Sequence, residues 1–479
     1  MQLPKAFIDS LEGVKGFDKE AFVKVHEENG QVTSIRINPG KYIGEPLWNN
    51  EEGAMVEIKS SYLEDSTAST HALMQLERIQ WSQFGYYLPS RPSFTFDPLF
   101  HAGGYYVQEA SSMFLEQAMR QLADLSQPLK VLDLSAAPGG KTTHLLSLLS
   151  DQSLLVSNEV IRARCNILVD NIIKWGRPNV LVTNNDPAAF KKVPGCFEVI
   201  VVDAPCSGSG LFRKDPDAIE EWSINNVALC SQRQQRILAD VLPALRENGL
   251  LIYSTCSYSE AEDESIADWL VKDLNMKTER LQLNESWGVV ESASPVNGAF
   301  GYRFYPDKVK GEGFYISCFR KINEEKDSSG KPPRIEIASN REKQILKDWL
   351  KTDGIEIIKD RESFRAIPSE FINIYAGLRQ VLNIQYAGTE IGQIMKDRLV
   401  PHHALALSGL LSPEVATTNL SYQDAIKYLQ RNDLSIIPVT KGWQTVSFQD
   451  HRLGWINALA NRINNYYPKE MRILKQSNE

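Results

Sequence analysis

The chain has 479 residues, 42% of them hydrophobic and 23% charged, and a formal net charge of −8. This length suits two to four domains of about 100–200 residues each. The acidic balance excludes a protein coated in bases for indiscriminate nucleic-acid binding, but it allows a local basic patch.

Residues 1–95 are expected to form a small α+β module. An alternating run at 32–38 predicts a strand that stops at Pro39-Gly40, and the aromatic residues Trp81, Phe84, Tyr86 and Tyr87 follow. Met1-Gln2-Leu3-Pro4-Lys5 begins no basic-then-apolar leader, and no stretch approaches the roughly 20 apolar residues of a membrane span. A cytosolic protein without a membrane contact is expected.

From about residue 96 the pattern changes. A helix is predicted to begin at 108–114, and strands at 131–134, 154–157, 180–183, 197–202 and 250–254 alternate with helices such as 161–173 and 225–245. That alternation signals an α/β domain over 96–322, a parallel sheet with helices on both faces. Residues 314–319 read as a late strand, added antiparallel at an edge. The polar, proline-ended stretch 323–333 reads as a linker, 334–400 as a small α+β domain, and 401–479 as a tail of short strands around a compact barrel. Within that tail Lys441, Arg452, Arg462, Lys469, Arg472 and Lys475 face only Asp450 and Glu470. A nucleic-acid-contacting module and an ordinary solvated face explain this asymmetry equally well.

The chain is organised around 131–143, Val-Leu-Asp-Leu-Ser-Ala-Ala-Pro-Gly-Gly-Lys-Thr-Thr, which reads as a strand, a turn of small residues and a helix start. Such a corner brings backbone close to a ligand at a helix N-terminus. It is not a P-loop, because Ser135 stands where the first glycine of G-x-x-x-x-G-K-[ST] belongs, and G-x-G-x-x-G is absent.

Ligands of open parallel sheets collect at strand carboxyl ends, and this chain places polar residues at each one. Glu159 is positioned to accept from both hydroxyls of a ribose and Asp186 from an adenine amine, although either acid alone is more simply a helix N-cap. Together the ends suit S-adenosylmethionine better than a nucleoside triphosphate.

The six cysteines, Cys165, Cys196, Cys206, Cys230, Cys256 and Cys318, show no zinc spacing, so no metal is expected. Cys206 and Cys256 follow adjacent strands and each precedes a serine, so their thiols are predicted to converge. The other four read as small core hydrophobes.

Ala136-Ala137-Pro138-Gly139-Gly140-Lys141-Thr142, Asp203-Ala204-Pro205-Cys206-Ser207-Gly208 and Ser254-Thr255-Cys256-Ser257, in that order, resemble the Sun-type RNA (cytosine-5)-methyltransferases. The likeness spans roughly 100–320, and the overall arrangement is most similar to the ribosomal RNA small-subunit methyltransferase F group. Ser135 and Gly140 depart from relatives that often carry Ala and Ser there.

The resemblance implies a Rossmann-like S-adenosylmethionine-dependent methyltransferase domain, an N-terminal RNA-binding module and a PUA-like RNA-binding domain at 401–479. It also implies 16S rRNA or the small ribosomal subunit as partner, a monomeric enzyme, and a cofactor held by Ser135, Ala136, Ala137, Pro138, Gly139, Gly140, Lys141, Glu159, Asp186 and Asp203. Cys256 would be the nucleophile and Cys206 would assist later. Lys141 has a second reading as an ordinary solvent-facing lysine, and Arg213 and Lys214 are candidates for substrate phosphates. A tRNA or DNA cytosine-5 methyltransferase, and a catalytically silent ribosome-assembly factor, are the alternatives.

Overall fold

The computed structural model describes residues 3–28, 30–41, 76–323 and 333–475. The predicted linker 323–333 lies almost wholly outside the described residues, as do residues 42–75 of the predicted N-terminal module.

Two short helices, Lys5–Ser10 and Lys19–Glu27, lead into β1 (Thr33–Ile37), the strand expected near 32–38. It is flanked antiparallel by β2 (Gly85–Leu88) and β3 (Tyr105–Val107). Trp81, Tyr86 and Tyr87 are buried, so most of the predicted aromatic cluster is core. From β1 the fully buried Arg36 donates to Gln108 Oε1 at 2.9 Å, Thr143 Oγ1 at 2.6 Å and Ser147 Oγ at 2.9 Å. Burial pulls its pKa down to about 9. This arginine fastens the small sheet to the helix that carries the 136–142 motif.

The helix expected from 108 begins as a single 3-10 turn, Ser111–Phe114, and continues as Leu115–Leu122. The Glu109 carboxylate accepts from the Ser111 and Ser112 amides at 3.0 and 2.9 Å, which fixes the start of the turn.

The central sheet contains β4 (Lys130–Asp133), β5 (Leu154–Asn158), β6 (Val180–Thr183), β7 (Phe197–Asp203) and β8 (Leu245–Thr255), parallel and in the order β8-β7-β4-β5-β6. Alternate residues feed two cores. Val131, Leu155, Val199 and Ile252 pack on one face, and Leu132, Val156, Ile200 and Leu251 on the other. Near-continuous apolar strands of this kind are what a sheet covered on both sides requires. The helix predicted at 225–245 ends at Val241, because Pro243 sits in the 3-10 turn Leu242–Ala244 that follows.

Four more strands, β9 (Met276–Glu279), β10 (Val290–Ala293), β11 (Phe300–Phe304) and β12 (Phe314–Lys321), extend the sheet antiparallel beyond β8. The late strand read at 314–319 is therefore antiparallel as expected, but β9 and β11 pair with it on the side away from β8, so it is no edge.

After the predicted linker, β13 (Ile355–Asp360) and β14 (Ser363–Pro368) form a hairpin. Next, β15 (Ile384–Ala387) returns to the central sheet and pairs antiparallel with β6, before β16 (Thr389–Met395) and β17 (Arg398–Pro401) complete a four-stranded sheet with the hairpin. The tail holds β18 (Thr417–Asn419), β19 (Gly442–Phe448), β20 (His451–Ala458) and β21 (Ile463–Asn465). No helix among the described residues is long and apolar enough to cross a membrane.

Candidate functional site

The strand order reverses between β4 and β7, which opens a crevice at their carboxyl ends. Over it runs the 134–139 turn. Gly139, at φ 118°, occupies backbone space that a side chain would strain, and it starts the helix Gly140–Leu148. The turn is pinned from β5 and the following helix. The Ala136 amide donates to the Asn158 carbonyl at 2.8 Å, Arg164 to the Ala137 carbonyl at 2.6 Å, and Asn171 to the Pro138 carbonyl at 2.8 Å. Ala136 and Ala137 are buried, Ser135 and Gly140 half-buried, and Pro138 exposed.

Asp133, at the end of β4, was not singled out in the sequence. Its Oδ2 accepts from Thr142 Oγ1 at 2.7 Å, while Oδ1 is buried with no partner. Burial pushes this carboxyl up to about 7. The signal was available, since an acid ends the strand that enters the motif.

Asp186 is the turn cap of the plainer reading, whereas Glu159 does not cap the helix Arg162–Trp175, whose N-cap residue is Ile161. Glu159 is buried, with Oε1 accepting from the Ile161 amide at 2.9 Å and Oε2 at 3.7 Å from Arg164. The exposed Asp186 caps a 3-10 turn through the Ala188 amide at 3.0 Å and lies 3.8 Å from Arg236. Neighbouring Asn185 keeps a buried, unpartnered Nδ2.

Cys206 and Cys256 converge, with their sulfurs 3.0 Å apart. The loops that carry them are locked together by Glu262. This buried carboxylate accepts from the Ser207 amide (2.8 Å), Ser207 Oγ (2.5 Å), Ser257 Oγ (2.7 Å) and Gln234 Nε2 (3.2 Å). One acid thus holds the serine after each cysteine.

A second lock is steric. Gly210 donates its amide to the Cys256 carbonyl at 2.8 Å, and a Cβ there would meet the same oxygen at 2.8 Å. The N-terminal helices support the assembly, with Phe22 edge-on to Tyr258 at 5.1 Å and Phe7 against Phe212 at 5.0 Å. Sequence reasoning missed Glu262, because Glu260-Ala261-Glu262-Asp263-Glu264 reads as a solvated helix start.

The Cys206 thiol is raised well above the usual thiol range, first by the hydrogen bond it shares with Cys256 and then by burial. Nearby, Asp203 accepts from Lys141 Nζ at 2.8 Å on one oxygen and from Ser254 Oγ at 2.8 Å on the other. Lys141 is therefore a partner of Asp203 and not a free surface lysine.

Arg213 corrects the phosphate expectation. It is buried, donates to the Gly30 and Gly311 carbonyls, and sits 3.8 Å from Glu312. Its guanidinium is committed to backbone; Lys214 beside it stays exposed. Of the remaining cysteines, Cys165, Cys230 and Cys318 are buried and Cys196 is half-buried.

A family model described as 16S rRNA methyltransferase RsmB/F matches residues 121–320. Models for the N-terminal domain of 16S rRNA methyltransferase RsmF and for the methyltransferase RsmF PUA domain match 55–110 and 415–473. Ribosomal RNA small subunit methyltransferase F of Shewanella loihica is 27% identical over 442 residues, covering 86% of this chain and 88% of that protein. The Shewanella baltica protein of the same name is 29% identical over 444 residues, covering 86% and 90%.

Among solved structures, NSun6 from Pyrococcus horikoshii with SFG superposes with a TM-score of 0.53 at 19% identity, over 67% of this chain and 99% of that one, which shows a shared fold. The Rossmann-like α/β domain and the PUA-like tail expected from the sequence both stand. In the expected order, residues 55–110, 121–320 and 415–473 thus match the N-terminal, methyltransferase and PUA models of the 16S rRNA methyltransferase RsmB/F family.

Proposed function

We propose that this methyltransferase moves a methyl group from S-adenosylmethionine to carbon 5 of a cytosine in RNA, with 16S rRNA as substrate and Cys256 as nucleophile. The observation that carries the reading is the pair of thiols 3.0 Å apart at the ends of two adjacent parallel strands, beside the 134–139 turn.

The crevice fits the cofactor chemically. Asp133 Oδ1 and Asn185 Nδ2 are buried polar atoms without partners at the ends of β4 and β6, and Glu159 Oε2 has only a distant arginine. The backbone of 135–141 with Glu159, Asp186 and Asp203 would hold S-adenosylmethionine, which supplies an electrophilic methyl group on a sulfonium.

Carbon 5 of cytosine is a poor nucleophile, and the protein's own work is to change that. Cys256 Sγ forms a bond to carbon 6, and the displaced electron pair makes carbon 5 an enamine carbon able to attack a methyl donor. Loss of the carbon 5 proton then returns the pair and breaks the Sγ–C6 bond.

Cys206, with its thiol raised by the hydrogen bond it shares with Cys256, keeps its proton beside Cys256 Sγ. It is placed to support the nucleophile first and the release step afterwards. Asp203, held on both oxygens, forms a fixed wall of the same crevice. A base embedded in a duplex must be flipped out to reach these groups, at a cost of a few kcal/mol.

The test is transfer of labelled methyl from S-adenosylmethionine to small-subunit RNA, followed by nucleoside digestion. Label in 5-methylcytidine is expected. Label in any other nucleoside, or none in RNA or assembled subunits, overturns the reading.

A further inference from the structure

A second polar cleft, of about 780 Å³, lies at the far edge of the central sheet, where the 334–400 stretch docks. Its walls are the β13–β14 hairpin, the start of the helix Arg162–Trp175 and the residues entering β15. The placement is fixed by hydrogen bonds. The Asn383 amide donates to Asn185 Oδ1 at 3.0 Å, and the Asn184 amide to the Asn383 carbonyl at 3.0 Å. Asn184 and Asn185 follow β6 and Arg162 follows Glu159 after β5, so the cleft opens on the same side of the sheet as the crevice.

Four arginines line it, Arg162, Arg361, Arg365 and Arg379, against two acids, Asp360 and Glu362. Asp360 accepts from Arg365 at 3.2 Å and from Arg379 at 3.1 Å, and Arg365 is paired as well with Glu390 at 3.2 Å. Arg365 keeps a buried Nη1 with no hydrogen-bond partner. Arg162 and Arg361 make no ion pair among the described residues. Arg361 sits in the two-residue turn of the hairpin at φ 60°, a conformation that glycine or asparagine adopts more cheaply. An excess of forked cations on an acidic chain is a site for phosphate oxygens, which arginine holds in bidentate fashion.

We infer that this cleft holds the phosphate backbone of the RNA substrate several nucleotides away from the target cytosine, and so positions the strand across the crevice. The inference rests on the RNA-methyltransferase reading above. It assigns to the 334–400 stretch a substrate-positioning role separate from the catalytic residues.

The experiment compares the full-length protein with the Arg162→Gln/Arg361→Gln variant. Neither residue carries an ion pair, so unchanged thermal melting is expected. Binding to a small-subunit RNA fragment is measured across a salt series, together with kcat and KM for labelled methyl transfer.

Each phosphate contact removed should lower the slope of log affinity against log salt by about 1, so the double variant loses about 2. KM for RNA should rise while kcat at saturating RNA and affinity for S-adenosylmethionine stay unchanged. Wild-type slope and KM in a variant that melts normally would overturn the inference. A wild-type protein that methylates no RNA at all would instead defeat the underlying reading.

Discussion

The two rims of the crevice are built on opposite plans. At the β7 and β8 ends, the serines after both cysteines meet on one buried carboxylate that accepts four hydrogen bonds. At the β5 and β6 ends, each acid makes one local backbone hydrogen bond and retains unused acceptor capacity. The thiol rim is saturated and the opposite rim is not. Saturation suits a reaction that needs two sulfurs at a fixed separation, whereas spare hydrogen-bonding capacity suits a ligand that comes and goes.

The largest effect should come from the proposed nucleophile. Cys256→Ala is expected to reduce methyl transfer by at least about 10³-fold with little change in melting temperature, as measured with labelled cofactor. An activity within tenfold of wild type would show that the saturated rim is scaffolding.

Next comes the lock. Glu262→Ala leaves two serine hydroxyls, a backbone amide and a glutamine amide without an acceptor, and should cost roughly 3–5 kcal/mol in denaturant titration. Glu262→Gln, which keeps one acceptor oxygen, should cost visibly less.

A buried acid behind the thiol rim gives a pH test. Glu312 is almost completely buried, has no hydrogen-bond partner on either oxygen, and is pushed up to about 7, chiefly by burial. Because its folded pKa exceeds the unfolded one, its contribution to stability is full below about pH 4.5 and is lost as pH rises through about 7. Glu312→Gln should therefore flatten the fall in stability between pH 5 and 8 by up to about 3 kcal/mol. Parallel stability curves for the two proteins would contradict this.

The smallest effect belongs to the open rim. Glu159→Gln should weaken S-adenosylmethionine binding about tenfold, or about 1.4 kcal/mol, in calorimetry while leaving melting almost unchanged. A large stability loss with unaltered binding would make Glu159 a structural residue of the turn after β5 only.

Much of this was legible in the sequence, for definite reasons. Apolar runs between turns marked the five parallel strands, and polar residues at their carboxyl ends marked the crevice, so the convergence of Cys206 and Cys256 followed from strand adjacency alone. Contacts made by residues far apart in the chain were not legible. Arg213 looks like a surface base beside Lys214, yet it folds inward to carbonyls at Gly30 and Gly311. Glu262 looks solvated because its neighbours are acidic, and Arg36 gives no local sign that it will be buried against Thr143 and Ser147. The return of β15 to β6 spans just over two hundred residues and has no local periodicity to announce it.

The division of labour between the two sulfurs is tested most directly by covalent capture on RNA carrying 5-fluorocytidine, which blocks loss of the carbon 5 substituent. Wild type and Cys206→Ala should both form a denaturation-resistant adduct, and Cys256→Ala should form none. Capture by Cys256→Ala, with none by Cys206→Ala, would assign the attack to the other thiol and contradict the account.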